Sequence, residues 1–338
     1  MEHYSYSKIP AFRQVVREVK ESIQGRYNEE TKTWSKDESI PLPTITFTGT
    51  VKAHGTNSGI VVSDTEYYAL SRNSVITVGN DNYGFAAFAE QNEVKHFCEA
   101  IRRILGLSGQ KIVIYGEWCG KGIQKNVAIS GLSRMWIIFA VKVVLEDSTR
   151  WADISDLTVD LAVLPIYTVN NFPTYSFDID FNEPEFSVNS ITEVVEQIEK
   201  SCPIGAHFNV AGIGEGLVLA GTLPDGTSLR FKVKGQKHSA TKVKTLAPVD
   251  TERLNSIKDF VEYSVTTSRL EQGAQATLLV SETVEFDRKN LGKFIKWVSS
   301  DILAEEKDTL EKNGLAMKDV GGALSKAAKA YFFKMETE

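Results

Sequence analysis

Cysteine is scarce: only three of 338 residues, Cys98, Cys119 and Cys202, and no two stand in a Cys-x-x-Cys spacing. Sparse, separated thiols argue against a disulfide framework and a structural zinc site, and they fit a reducing compartment. Long apolar runs are missing as well. No stretch approaches the about 18 consecutive apolar residues of a membrane-spanning helix. The opening "MEHYSYSKIPAFRQVV" also lacks the basic-then-apolar layout of a secretory signal. The expectation is a cytoplasmic protein, monomeric and with no membrane partner. Fixed-period repeats and low-complexity tracts are not seen either.

What is present is the composition of an ordinary globule, 42% hydrophobic and 24% charged, long enough for one large or two medium domains. A net charge of −6, spread evenly, would discourage nonspecific binding to nucleic acid. It is not spread evenly. Between Arg230 and Lys244, "RFKVKGQKHSATKVK" holds six Lys or Arg and no carboxylate, whereas "DIDFNEPEF" and "EVVEQIEK" are acidic. Such a run is either a cationic binding surface or a solvated face.

Apolar spacing of three and four predicts a first helix over "AFRQVVREVKESIQG", closed by Gly25, followed by the polar stretch "YNEETKTWSKDES". Strands are predicted at "TITFTGTVKA", "GIVVS" and "EYYALSR", a helix at "FAAFAEQNEVKHFCEAIRRILG", and strands again at "KIVIYGEW" and "MWIIFAVKVVL". A helix is expected near "SITEVVEQIEK", and "EGLVLAG" pairs with "SLRFKVKG" around the turn "TLPDGT". Past Pro248, helical spacing without strand signal predicts a separate helical domain beginning near residue 247. The whole reads as α+β.

Within this frame, "VKAHGTN" places Lys52 and His54 two apart at the end of a β-branched run. If the strand continues that far, both side chains look into one space; a solvated strand end and a Gly-Thr-Asn turn is the competing reading. Further along stand Arg72 in "LSRN", Glu117 in "YGEW", Phe139 in "WIIFAV", Glu215 in "GEGLVL", and Lys232 with Lys234 in "FKVKG". Each motif alone is weak, but six in one order are specific. The series resembles that of the covalent nucleotidyltransferases, the superfamily of polynucleotide ligases and mRNA capping enzymes, whose nucleophile lies in Lys-x-[Asp/His]-Gly. His-Gly-Thr-Asn and "YGEWCGKGIQKNV" are similar to the T4 RNA ligase 2 family of ATP-dependent RNA ligases. The resemblance spans roughly residues 50 to 234.

That resemblance implies a nucleotidyltransferase domain, ATP-grasp-like, of antiparallel sheets with flanking helices over residues 1–246, then a small all-α domain over 247–338. It implies sealing of RNA 3′-hydroxyl and 5′-phosphate ends with ATP and magnesium or manganese, by a cytoplasmic enzyme that includes the virus-encoded case. Lys52 is the implied nucleophile. An attacking amine must be unprotonated although a free lysine has a pKa of about 10.4, so neighbouring cations or desolvation have to favour its neutral form. Lys232 and Lys234, sharing a strand face, suit that task and the gripping of phosphate oxygens. Glu117 and Glu215 are the hard oxygen ligands for the metal. His54 faces the leaving phosphates or the metal's water shell, and Gly55 lets backbone approach phosphate. By match, Phe139 stacks on adenine with Val218 opposite, and Val51, Asn57 and Arg72 join the nucleotide contacts. In "TTSRLEQ" and "SSDILAEE", Arg269, Asp301 and Glu305 match positions of RNA engagement or later steps; a helical surface salt-bridge set is the competing reading.

Two departures stand out. Ala140 follows the motif phenylalanine where this branch usually has Asp, and Ala220 stands where the Glu-Gly-x-Val motif usually ends in Lys. A DNA-nick ligase, a GTP-using capping enzyme and a noncatalytic RNA-binding protein on a ligase scaffold are the rival readings. The absence of a strand-rich tail after Lys244 speaks against the first two, which normally continue into an OB-fold.

Overall fold

The computed structural model describes residues 1–159, 164–238, 257–278 and 288–335. The expected domain boundary near residue 247, with Lys242 and Lys244 of the basic run, lies outside them. In chain order the elements are α1 (Phe12–Gln24), β1 (Gly25–Asn28), β2 (Thr33–Lys36), β3 (Thr44–Val51), β4 (Thr56–Val62), β5 (Tyr67–Ser71), β6 (Val75–Ile76), α2 (Phe85–Ala89) and α3 (Asn92–Ile104). Then come β7 (Lys111–Cys119), β8 (Met135–Val144), β9 (Thr149–Trp151), β10 (Ile166–Thr168), β11 (Thr174–Asp180), α4 (Glu185–Lys200) and α5 (Pro203–His207). The rest are β12 (Gly216–Thr222), β13 (Ser228–Lys234), α6 (Ile257–Ser264), α7 (Thr267–Thr277), α8 (Leu291–Lys312) and α9 (Met317–Met335). The fold is α+β, built on antiparallel sheets with a C-terminal helical region.

The chain divides into two compact units, each assembled from separate segments. Unit one comprises Met1–Lys8, Gly49–Tyr175 and Gln197–Glu215. Its sheet has the order β10-β8-β7-β4-β5-β6, with β9 on β8; in this sheet only β10 runs parallel to its neighbour. Side chains alternate across β7, so Ile112, Ile114 and Trp118 pack with Phe85, Phe88, Val94 and Ile101 of α2 and α3. Val113 and Tyr115 face the other way, with Val61, Tyr68, Leu70 and Ala140. Glu117 shares their parity and stands on that second face.

Two expectations are corrected here. The helix expected over 85–106 is broken between Ala89 and Asn92, because Gln91 is extended and begins a new helix. The strand expected to run through Ala53 ends at Val51.

Unit two comprises Ile9–Thr48, Ser176–Glu196 and Gly216–Glu338. Its sheet has the order β11-β3-β12-β13. Phe12 of α1 packs on Phe231 of β13 at 4.9 Å between ring centroids, as the buried spacing Phe12, Val15, Val19 requires. The C-terminal helices have their own core: Phe294, Val298 and Ile302 on α8 against Val320, Leu324, Ala328 and Phe332 on α9, with Phe260 and Leu270. The polar stretch after α1 takes part in an antiparallel hairpin, in which β1 pairs with β2.

Candidate active site

Because β3 stops at Val51, Lys52 and His54 sit in the connection to β4, not on a strand face. They converge nonetheless. Lys52 Nζ donates to Glu215 Oε2 at 2.8 Å, and His54 Nδ1 lies 3.0 Å from the same oxygen. Glu215 is buried, 2% exposed, and Lys52 and His54 keep 21% and 18% of their side-chain surface. The glutamate is held in place by its lead-in: the Gly214 N–H donates to the Ile198 carbonyl, and the Ala128 N–H to the Ile213 carbonyl.

Gly55 explains why this connection can lie so close to β7. A Cβ there would fall 2.3 Å from the Trp118 carbonyl oxygen and 2.7 Å from Cys119 Cβ, so only glycine fits. Its N–H donates to Glu117 Oε1 at 3.0 Å and its carbonyl accepts from Gln124 Nε2 at 3.0 Å. Gln124, in the "GIQK" run, was not among the expected site residues. Asn57 sits opposite Glu117 in the β4–β7 register. Burial pushes the Glu117 carboxyl above the usual carboxylate range, and Glu215 adds to the push; Lys52, His54 and the Gly55 N–H only partly offset it. Lys52, His54, Asn57, Glu117 and Glu215 are therefore gathered in unit one.

Val51 is buried at the end of β3 and Arg72 is exposed just past β5. Phe139 has no partner in the β7–β8 ladder, because Tyr115 opposes Ala140 while Gly116 opposes Ile138. An extra residue of this kind re-aims its side chain. Tyr6 of the N-terminal segment packs edge-on against Phe139 at 4.9 Å. Ala140 is buried beside Tyr115 among apolar side chains, where a carboxylate would be desolvated. That is a physical reason for the alanine.

In unit two, β12 and β13 pair Val218 with Lys232, Gly216 with Lys234 and Ala220 with Arg230. Directly opposed residues share a face, so Val218, Lys232, Lys234 and Arg230 stand together while Leu229, Phe231 and Val233 are buried on the other side. Arg230 thus projects beside Ala220, where a lysine is usual.

Lys232 Nζ donates to Glu305 Oε1 at 2.8 Å. Glu305 Oε2 accepts from Arg269 Nη2 at 2.8 Å, and Arg269 Nε donates to Asp301 Oδ2 at 2.9 Å. Arg269 is fully buried, and Asp301 and Glu305 are 13% and 16% exposed, so the three form an interior network and not a surface set. Burial works against the Arg269 charge, yet Glu305, Asp301 and Glu306 hold its pKa above the usual range. Next to it, Arg13 of α1 pairs with Glu306 at 2.7 Å and Asp308 at 3.1 Å. Burial raises the Glu306 carboxyl and, with Glu306 adjacent, takes the Tyr263 hydroxyl to about 12. Arg13 lies about 290 residues from these partners in sequence, which no local pattern reveals.

Among the described residues no group of three His, Cys, Asp or Glu is placed to hold a metal ion. Glu117 and Glu215 offer two carboxylates close enough to repel. That donor set suits magnesium, which takes one or two carboxylates and completes its shell with water and substrate phosphate.

The family model described as RNA ligase matches residues 45–234, more than half of the chain. The protein belongs to the RNA ligase family. Among solved structures, it is similar to Naegleria gruberi RNA ligase with pyrophosphate, at 15% identity and a TM-score of 0.39, over 69% of this chain and 56% of that one. A glutamate-to-alanine mutant of the same ligase with ATP and Mn matches at 14% identity and a TM-score of 0.42, over 69% of this chain and 57% of that one. The chain thus spans little more than half the length of these relatives. No curated protein matches it in sequence.

Proposed function

We propose that the protein is an ATP-dependent RNA ligase sealing 3′-hydroxyl and 5′-phosphate ends, with nicks in duplex RNA as its substrate. It would work as a cytoplasmic monomer, with a nucleotidyltransferase domain over 1–246 and a helical domain over 247–338. The observation that supports this most is the meeting of Lys52, His54, Glu117 and Glu215 at the Gly55 connection.

On this reading, Lys52 Nζ attacks the α-phosphorus of ATP. A phosphoramidate bond forms as the bond to the bridging oxygen breaks, and pyrophosphate leaves. The RNA 5′-phosphate then displaces Lys52 from the AMP, and the 3′-hydroxyl displaces AMP from the RNA. Each step is in-line substitution at phosphorus, so positioning and charge do most of the work. Lys52 Nζ donates to Glu215 Oε2 and has to leave that carboxylate before it attacks. A divalent cation held by Glu117 and Glu215 would neutralise charge that builds on the phosphate. Phe139 stacks on adenine, and Val51, Asn57, Arg72 and Val218 contact the nucleotide. Lys232 and Lys234 grip phosphate oxygens. Arg230 supplies the cation that Ala220 cannot. Arg269 and Asp301 act as positioning residues, since they hold Glu305, and Glu305 holds Lys232.

Duplex RNA would be recognised by its backbone and 2′-hydroxyls. Incubation with radiolabelled ATP and magnesium, then with a nicked duplex, tests the reading: label appears on the protein and passes to RNA. Sealing compared at an RNA and a DNA nick separates it from a DNA ligase.

A further inference from the structure

The β1–β2 ladder pairs Tyr27 with Trp34 and Gly25 with Lys36. Opposed residues share a face and residues two apart repeat it, so Tyr27, Trp34 and Lys36 stand on one side of the ribbon. Arg26, Asn28, Thr33 and Ser35 stand on the other. Trp34 is 72% exposed and Tyr27 50%, with ring centroids 5.2 Å apart and planes tilted by 49°. A Cβ on Gly25 would lie 3.4 Å from the indole, so Trp34 lies over bare backbone.

A single exposed aromatic needs no explanation, but this pair is differently built. Every residue of β2 is exposed, so the ribbon adds nothing to a core, and an isolated two-stranded hairpin is marginal in water. It is fastened at its base instead. The Asp37 N–H donates to the Gln24 carbonyl at 2.9 Å, Gln24 Nε2 to the Ile40 carbonyl at 2.8 Å, and Arg26 Nη1 to the Gly25 carbonyl at 2.9 Å. On a chain of charge −6, residues 25–36 carry three cations (Arg26, Lys32, Lys36) against two anions (Glu29, Glu30).

We infer that the Tyr27–Trp34–Lys36 face is a stacking platform for single-stranded RNA. The rings take unpaired bases and Lys36 takes the adjoining phosphate. The assignment rests on the RNA ligase reading. Two rings and a lysine are far less than the about 1,000 Å² that a specific protein interface needs. They are enough for one or two nucleotides, because every base presents a π-face to an aromatic side chain.

The test is fluorescence anisotropy with a labelled single-stranded RNA and, separately, a blunt duplex. The proteins are wild type, Trp34→Ala and Trp34→Phe, each also assayed for label uptake from ATP. Trp34→Ala should weaken single-strand binding about tenfold or more, Trp34→Phe should retain most of it, and label uptake and duplex binding should not change. Wild-type affinity in Trp34→Ala, or an equal loss on the blunt duplex, overturns the proposal. So does a dimer in the wild type that Trp34→Ala dissociates in sedimentation, since the occupant would then be a second copy. Failure of the wild type to take label, with the Trp34 dependence intact, sinks the ligase reading and leaves the platform standing.

Discussion

His54 Nδ1 lies 3.0 Å from Oε2 of Glu215, the oxygen to which Lys52 Nζ also donates. A residue that meets this glutamate beside Lys52 has to be able to live beside an anion. His54→Asp, the residue usual in the superfamily, would add a carboxylate next to Glu215 and Glu117. The expected outcome is a fall of about tenfold or more in the rate of label uptake from ATP, where tenfold is about 1.4 kcal/mol. His54→Asn, neutral and still a donor, should lose less. Equal rates in His54→Asp and wild type would show that the contact has no role.

Glu117 is expected to cost stability while serving chemistry. Its carboxyl is raised chiefly by burial, so in the window between the ordinary and the raised value the folded state holds the proton more firmly than the unfolded chain. Stability then falls as pH rises through that window. Glu117→Gln removes the dependence. At neutral pH the variant should melt no lower than wild type yet take up almost no label, and a lowered Tm would contradict this. The wild-type adenylylation rate should also fall off in acid at a pH above that of an ordinary glutamate.

Arg269 is fully buried against Asp301 and Glu305. Arg269→Ala leaves both, with Glu306, short of a cation, and should cost about 3–5 kcal/mol. Denaturant unfolding measures the loss. Arg269→Lys should not rescue it, since one ammonium cannot span two carboxylates as a guanidinium fork does.

Arg230 and Ala220 face each other across β12 and β13. If Arg230 supplies the missing charge, Arg230→Ala should raise the ATP concentration needed for half-maximal label uptake, and Ala220→Lys in that background should restore much of it. No restoration would mean that the two positions are not interchangeable.

The β12–β13 pairing was legible in the sequence, because two strand-like runs flank the turn "TLPDGT" and strand parity put Lys232 and Lys234 on one face; that Val218 stands opposite Lys232 came only with the register. Glu117 was legible through its place in the motif series, since its strand is apolar on both faces and shows no alternation to read. The convergence of Lys52 and His54 was legible only in outcome: strand parity was the wrong reason, since the strand ends at Val51 and a glycine packed on Trp118 makes the approach. The hairpin at 25–36 was illegible because its residues are exposed on both faces, leaving no hydrophobic alternation to read. The Arg13–Glu306 pair was hidden by distance along the chain. The RNA ligase family itself was visible in the order of the motifs, and the family match over residues 45–234 agrees with that order.

Intact-mass spectrometry of the purified protein after incubation with ATP and magnesium, followed by peptide mapping, is the most direct measurement. The expected result is one added AMP on Lys52, absent from Lys52→Ala and discharged when pyrophosphate is returned. No adduct, or an adduct on another residue, would contradict the assignment of Lys52 as the nucleotide carrier.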